Sequence, residues 1–239
     1  MKKRFVSVFC LVCIFVFTSA LYAGKWAQSL SLGSNITKGN TDTEQFSMNY
    51  KGGKDWDKKA KIMLGFAVNL AMENDVLNTE NYSGLIQYNR YISKRFYWLA
   101  NSSYEIDKMA DLNRRFLLGP GLGLSIIKRE FTNLDVELGI SYLNTQYENK
   151  SARETSAFRI AESYKWKITE KSKLWQTAEY ITESDNTKAY LFNSEIGIST
   201  NIAGNLSIKS FALNKYNNVP DIGKKRNDLQ FSTMLVYSF

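Results

Sequence analysis

The stretch "DLQFSTMLVYSF", residues 228–239, decides the fold. On an extended chain Leu229, Phe231, Thr233, Leu235, Tyr237 and Phe239 lie on one side, and Asp228, Gln230, Ser232, Met234, Val236 and Ser238 on the other. Successive side chains of a strand point to opposite faces, so this is a strand with one apolar face. The same alternation runs through the chain before it. "AKIMLGFAVNL" sets Ala60, Ile62, Leu64, Phe66, Val68 and Leu70 against Lys61, Met63, Gly65, Ala67 and Asn69. "LDVELGISY" sets Leu134, Val136, Leu138, Ile140 and Tyr142 against Asp135, Glu137, Gly139 and Ser141. With the alternating runs "WAQSLSLGSNI" (26–36), "FSMNY" (46–50) and "FLLGPGLGLSII" (116–127), and weaker ones at 81–91, 96–106, 157–166, 174–180, 190–200 and 206–212, the pattern predicts twelve strands.

The opposite end of the sequence bears on where those strands lie. "MKKRFVSVFCLVCIFVFTSALYA" carries Lys2, Lys3 and Arg4, an apolar run over 5–17, and small residues at Ser19, Ala20 and Ala23. This is the three-part pattern of a secretory signal peptide. The run of 13 residues is well short of the roughly 20 a membrane helix needs. A leader over 1–23 and a single domain over 24–239 are expected, with cleavage after Ala20 or Ala23. Both cysteines, Cys10 and Cys13, fall inside the leader, so no disulfide framework is expected in the mature chain. The formal charge of +8 includes the three leader cations. The remaining mild excess is spread along the chain and gives no nucleic-acid signature.

An apolar strand face can pack into a soluble core or face lipid, and the opposite face separates the two. Here it carries Gly, Ser, Ala and Asn with scattered charge, whereas a soluble domain would put denser charge toward water. Aromatics gather near strand ends, at Trp26, Tyr50, Tyr82, Phe96, Trp98, Phe116, Tyr142, Trp166, Tyr190, Tyr237 and Phe239. Such girdles mark the two membrane interfaces. Connections alternate between a short set (51–58, 91–95, 128–132, 169–172 and 202–205) and a longer set (37–43, 71–80, 107–114, 144–155, 182–188 and 215–226). Short periplasmic turns and longer outer loops belong to transmembrane barrels. The expected fold is therefore all-β: a closed antiparallel transmembrane β-barrel of about twelve strands in the outer membrane of a Gram-negative cell. Closure leaves no strand edge unsatisfied in lipid. Phe231, Leu235, Tyr237 and Phe239 resemble the C-terminal strand signal that the barrel assembly machinery of outer membranes reads.

Several segments also carry a family resemblance. They are "GNTDT" (39–43), "RRFLLGPGLG" (114–123), "ELGISY" (137–142), "LWQ..EY" (174–180) and "GKKRND....TMLVYSF" (223–239). The chain resembles the YdiY-like family of salt-induced outer-membrane proteins, a domain of unknown function. The resemblance implies an outer-membrane barrel and brings no catalytic motif or ligand.

Chemistry is limited by what is missing from the composition. The sequence has no histidine, which removes the Ser–His and His–Asp mechanisms of barrel enzymes. A carboxylate pair at Glu183 and Asp185 reads as a solvated loop, and no enzyme and no cofactor are expected. Asp42, Glu44, Glu73, Asp75 and Glu80 could offer oxygen ligands, but their spacing matches no calcium loop, so no metal is expected. The glycines of "GPGLG" sit in an alternating strand with no helix after it, so they are read as relieving crowding or allowing curvature.

Function is expected in the interior. The polar faces place Lys61, Arg159, Lys165 and Lys209 with Asp135, Glu137, Glu179 and Glu195, as a polar pore or an internal salt-bridge network. Glu162 resists the scheme: it shares the apolar side with Phe158, Ile160, Tyr164 and Trp166, so a bulge or a misplaced strand is expected there. The run Lys224, Lys225 and Arg226 lies in the loop 215–226 and could meet lipopolysaccharide phosphate. A narrow channel linked to salt or osmotic stress and a surface-binding barrel are the leading readings.

Overall fold

The computed structural model describes residues 26–38, 43–57, 59–73 and 76–239; within these, 34–38, 43–45, 72–73 and 76–79 are described by backbone alone. The leader, Asp42 and Asp75 lie outside the described residues. The strands are β1 (Ala27–Lys38), β2 (Thr43–Trp56), β3 (Ala60–Glu73), β4 (Val76–Tyr91), β5 (Phe96–Asp107), β6 (Leu112–Lys128), β7 (Thr132–Tyr147), β8 (Arg153–Lys167), β9 (Ser172–Glu183), β10 (Tyr190–Ala203), β11 (Leu206–Asn217) and β12 (Asn227–Ser238). Each pairs antiparallel with its sequence neighbours, and β12 pairs with β1 to close a twelve-stranded barrel. The closing seam runs from Ser29 opposite Ser238 to Lys38 opposite Leu229, and the Phe239 amide donates to the Gln28 carbonyl at 2.9 Å.

Alternation sorts the side chains into two environments. Leu122, Leu138, Ile140, Ile160, Ile196, Phe231 and Leu235 stand on the outer surface, with Ile140 59% exposed. The alternate residues turn inward: Tyr97 and Leu99 keep 2% and 1% of their surface. The outer face is therefore the apolar one. Lysines lie over rim aromatics at the end that holds Trp26 and Phe239: Lys54 over Trp26 and Trp56, and Lys128 over Tyr91. At the other end Tyr180, Tyr190 and Tyr216 stack in series across β9, β10 and β11.

Two weakly alternating strands owe their irregularity to interior glycines. In β5 the run Phe96–Tyr97–Trp98–Leu99 is apolar on both faces. The inward Tyr97 ring lies over Gly123, where a Cβ would sit 2.1 Å from its Cζ. Trp175 of β9 lies likewise over Gly197, at 2.3 Å from such a Cβ. Of the glycines of "GPGLG", Gly123 makes room for the Tyr97 ring, whereas Gly119 and Gly121 lie against the β7 carbonyls of Ile140 and Leu138.

Two expectations are corrected. The long connections are shorter than expected, because the hydrogen-bonded ladder continues through polar alternating residues. The span expected as loop 107–114 is loop only over 108–111, and 144–155 only over 148–152. Positive φ at Asp111 (52°) and Asn149 (58°) lets these turns be tight. The longest described connection, 218–226, begins after Lys215, which belongs to β11. At Glu162 there is no bulge: β8 runs in register with both neighbours, Glu162 opposite Val136 and Ala178. The carboxylate stays on the outer face, half-buried, with Oε1 enclosed and unbonded.

Candidate functional site: the barrel lumen

The inward residues build a layered interior. Its middle is a charge network on β4 to β9. Arg159 is 7% exposed and reaches Glu137 on one side (Nη1 to Oε2, 3.0 Å) and Glu179 on the other (Nε to Oε1, 2.6 Å). Glu137 also accepts hydrogen bonds from Gln87 of β4 (2.8 Å) and Tyr97 of β5 (3.0 Å). Those bonds pass over β6, where Gly121 and Gly123 have no side chain to obstruct them. Asp135 accepts from the Ser125 hydroxyl at 2.6 Å, and Glu195 from the Trp175 indole N–H at 2.6 Å. Each of these partly buried carboxylates has a hydrogen-bond or ion-pair partner, which offsets the cost of taking it out of water.

The end opposite the termini is crossed from wall to wall. Lys215 of β11 pairs with Glu105 of β5, and Arg115 binds the same carboxylate at 3.2 Å. In the strand order β5 and β11 stand on opposite sides of the barrel, so this contact spans the lumen. Tyr147 accepts from Asn217 at 2.8 Å beside it. Over this crossing the 218–226 loop folds inward. Asp221 pairs with Lys150, and Lys224 pairs with Asp111 at 3.0 Å and donates to the Met109 carbonyl at 2.7 Å. Lys150 beside Asp221 holds its carboxyl below the usual carboxylate range. A vestibule of about 230 Å³ remains between loop and wall, lined by Leu143, Ile181, Leu191, Tyr147 and Arg153 among others. Glu183 and Asp185 sit at its rim, both held by Arg153 (2.6 and 3.1 Å).

The end that holds the termini differs. Lys51, Lys61, Lys165 and Lys209 face inward there from β2, β3, β8 and β11. Lys51 and Lys165 are exposed inside the barrel mouth, while Lys209 is buried over the Trp175 ring (5.3 Å) and the Phe211 ring (4.2 Å).

The interior thus brings together Arg159, Glu137 and Glu179 as a bonded unit and leaves Lys61, Lys165 and Lys209 without an ion pair among the described residues. Of the loop cations, Lys224 is turned into the mouth, whereas Lys225 and Arg226 are exposed on the rim. The sequence reading missed Glu105, Arg115, Lys51, Tyr97 and Trp175, and put Lys215 in a loop. Inward parity on β2, β5, β6 and β9 would have found the first five. Nothing in a sequence of local alternations pairs β5 with β11.

The geometry has close parallels among solved structures. The NanC porin superposes with a TM-score of 0.60 at 7% identity, covering 88% of this chain and all of that one (100%). A KdgM porin gives 0.52 at 10% identity, over 88% and 99% of the two chains. The translocator domain of the autotransporter NalP from Neisseria meningitidis gives 0.50 at 13% identity, over 97% and 96%. These likenesses establish the fold as that of outer-membrane barrels. No curated protein matches the sequence. Residues 30–239 match the family described as "Protein of unknown function, DUF481", and the chain belongs to that family.

Proposed function

We propose that the protein is a non-enzymatic outer-membrane channel of narrow bore that serves the cell's response to its ionic or osmotic surroundings. One observation carries this reading: a closed barrel with an apolar outer belt encloses charged side chains, two of which, Lys51 and Lys165, are accessible inside it. Eight strands leave an interior that side chains fill, and porins of 16–18 strands leave a broad aqueous channel; twelve fall between. In the membrane the short-turn end, with both termini, faces the periplasm and the 218–226 loop faces outward. The barrel assembly machinery inserts the chain after removal of the leader, with β12 as the recognised strand. The resemblance to salt-induced proteins supports the ionic role. The test is single-channel recording of the folded protein in planar bilayers in several salts. A stable, discrete conductance is expected; a barrel that never conducts is sealed, and the reading fails.

A second reading, lipopolysaccharide binding at the outer rim, is favoured by the exposure of Lys225 and Arg226 there. The commitment of Lys224 to Asp111 and Met109 weighs against it. Replacing all three cations with Gln should lower co-purified lipopolysaccharide if they bind phosphate. Equal content in both proteins would dismiss it.

A further inference from the structure

We propose that Lys51, Lys61, Lys165 and Lys209 form an anion site in the terminus-side half of the lumen and make the barrel prefer small anions to cations. This deepens the channel reading and rests on the lumen it describes.

Which charges are already engaged decides what the lumen offers an ion. Among the inward acids of that half, Asp135 accepts Ser125, Glu195 accepts Trp175, and Glu137 accepts Gln87, Tyr97 and Arg159. Asp55, opposite Lys61 in the ladder, has a partner as well. The four ammoniums have no such partner, although Lys209 lies over the Trp175 and Phe211 rings. Among the described residues none of them makes an ion pair or donates a hydrogen bond to a protein group. Each ammonium carries three N–H donors and no acceptor, so its donors turn to whatever occupies the lumen. They also stand within reach of one another's charge: Lys51 repels both Lys165 and Lys209, and Lys61 repels Lys165. Asp135 and Glu137 attract Lys165, and Glu195 attracts Lys209, but none of these carboxylates closes an ion pair with a lysine. Like charges held together with no paired counter-charge raise the local potential, and an anion among them relieves it.

The entrance adds to the same field. In the turns at this end Lys59, Lys94, Arg95, Arg129 and Lys171 outnumber Asp57, Glu130 and Glu170. Basic residues around a low-dielectric opening concentrate anions at its mouth, and rings of Lys or Arg are the usual means by which pores select anions. Neutral donors orient Asp135 and Glu195 without cancelling their charge, so the preference rests on the inward lysines, whose N–H donors no carboxylate has taken.

Two measurements on the folded full-length protein test this. In planar bilayers under a potassium chloride gradient, the reversal potential should lie toward chloride. Replacing all four lysines with Gln should move it toward zero or toward potassium, with channels still forming. Lys165→Gln alone, at an exposed position, should give a smaller shift in the same direction. The second readout does not need conduction. Iodide should quench the Trp175 fluorescence more than caesium does, Trp175→Phe should remove that difference, and Lys209→Gln with Lys51→Gln should reduce it. Conductance without anion preference, or with a preference the lysine changes leave untouched, overturns the site and leaves the channel reading standing. Lysine-dependent iodide quenching in a barrel that never conducts upholds the site and defeats the channel. Equal quenching by iodide before and after the lysine changes overturns the site.

Discussion

Arg159 illustrates how much depends on single inward side chains. It is almost fully enclosed and is the shared partner of two carboxylates. Removing one member of a buried charged group leaves the others uncompensated, at a cost of about 3–5 kcal/mol. Arg159→Ala is therefore expected to lower the temperature at which the detergent-solubilised barrel unfolds on a gel. Adding Glu137→Gln and Glu179→Gln should recover part of the loss. A single variant as stable as wild type would mean that water already compensates the pair. Gly123 is the steric counterpart. A methyl group there would overlap the Tyr97 ring, so Gly123→Ala must push the ring off Glu137. Overpacking of this kind costs about 1–3 kcal/mol. Gly84, with open space around its Cβ position, should accept Ala with little effect on the same unfolding measurement. Parity made the inward position of Arg159 legible in the sequence. It could not reveal that Tyr97 fills the space Gly123 leaves, because a glycine in a strand pattern does not say which neighbour approaches it.

Strands were legible and their ends were not. Alternation reports which face a residue takes, and it does so equally inside the membrane and beyond it, so the polar extensions of β6 and β7 read as loop. The run Lys215–Arg226 read as one solvated segment for the same reason, although Lys215, Tyr216 and Asn217 belong to β11. Within the true loop, 218–226, the Lys150–Asp221 pair sets a measurable pH response. The hydrogen bond and charge of Lys150 depress the Asp221 carboxyl below its usual value, against the opposing effect of burial. A depressed carboxyl stabilises the folded contact above its ordinary value near 4, and that stabilisation is lost as pH falls through the lower folded value. Protease nicking within 218–226 should thus stay low through neutral and mildly acidic pH and rise only in stronger acid. Asp221→Asn should raise it at neutral and mildly acidic pH and converge with wild type in strong acid, where the wild-type carboxyl is itself protonated. Nicking that begins near pH 6 would point to another group. The same scale governs β12. Phe239 packs edge-on to Tyr237 at 5.1 Å and its amide closes the seam to Gln28, so deleting it removes one aromatic and one backbone bond. A strong fall in the amount inserted in cells, with near-normal stability once folded, is expected; insertion at the wild-type level would show that β12 is not read from that residue.

At the scale of the whole barrel, the two mouths are held by different physics, and ionic strength should separate them. The outer mouth is covered by a loop tied down through Lys150–Asp221 and Lys224–Asp111. Each pair has one partner open to solvent, Lys150 at 46% and Asp111 at 32%, and such pairs are worth only about 0–1 kcal/mol each, so the covered arrangement is lightly held. The crossing beneath it holds the Glu105 carboxylate between two cations, Lys215 and Arg115, and should resist salt longer. The mouth beside the termini depends on lysines without ion-pair partners, whose reach is set by the Debye length: about 10 Å at 0.1 M and about 3 Å at 1 M. Raising the salt should therefore have two opposite consequences in one recording. The fraction of time spent open should rise, because the loop's ion pairs are screened. The preference for anions should fall, because the lysine field no longer fills the lumen. Conductance alone would blur the two, since lysines also gather anions at low salt and raise the current there. Asp221→Asn combined with Asp111→Asn separates them: it should lengthen openings at low salt while leaving the anion preference at its low-salt value. An open fraction that does not change with salt, in wild type and variant alike, would mean that the loop is held by its backbone and amide hydrogen bonds, such as Asn218 to the Lys188 carbonyl, and that charge at the outer mouth does not gate the barrel.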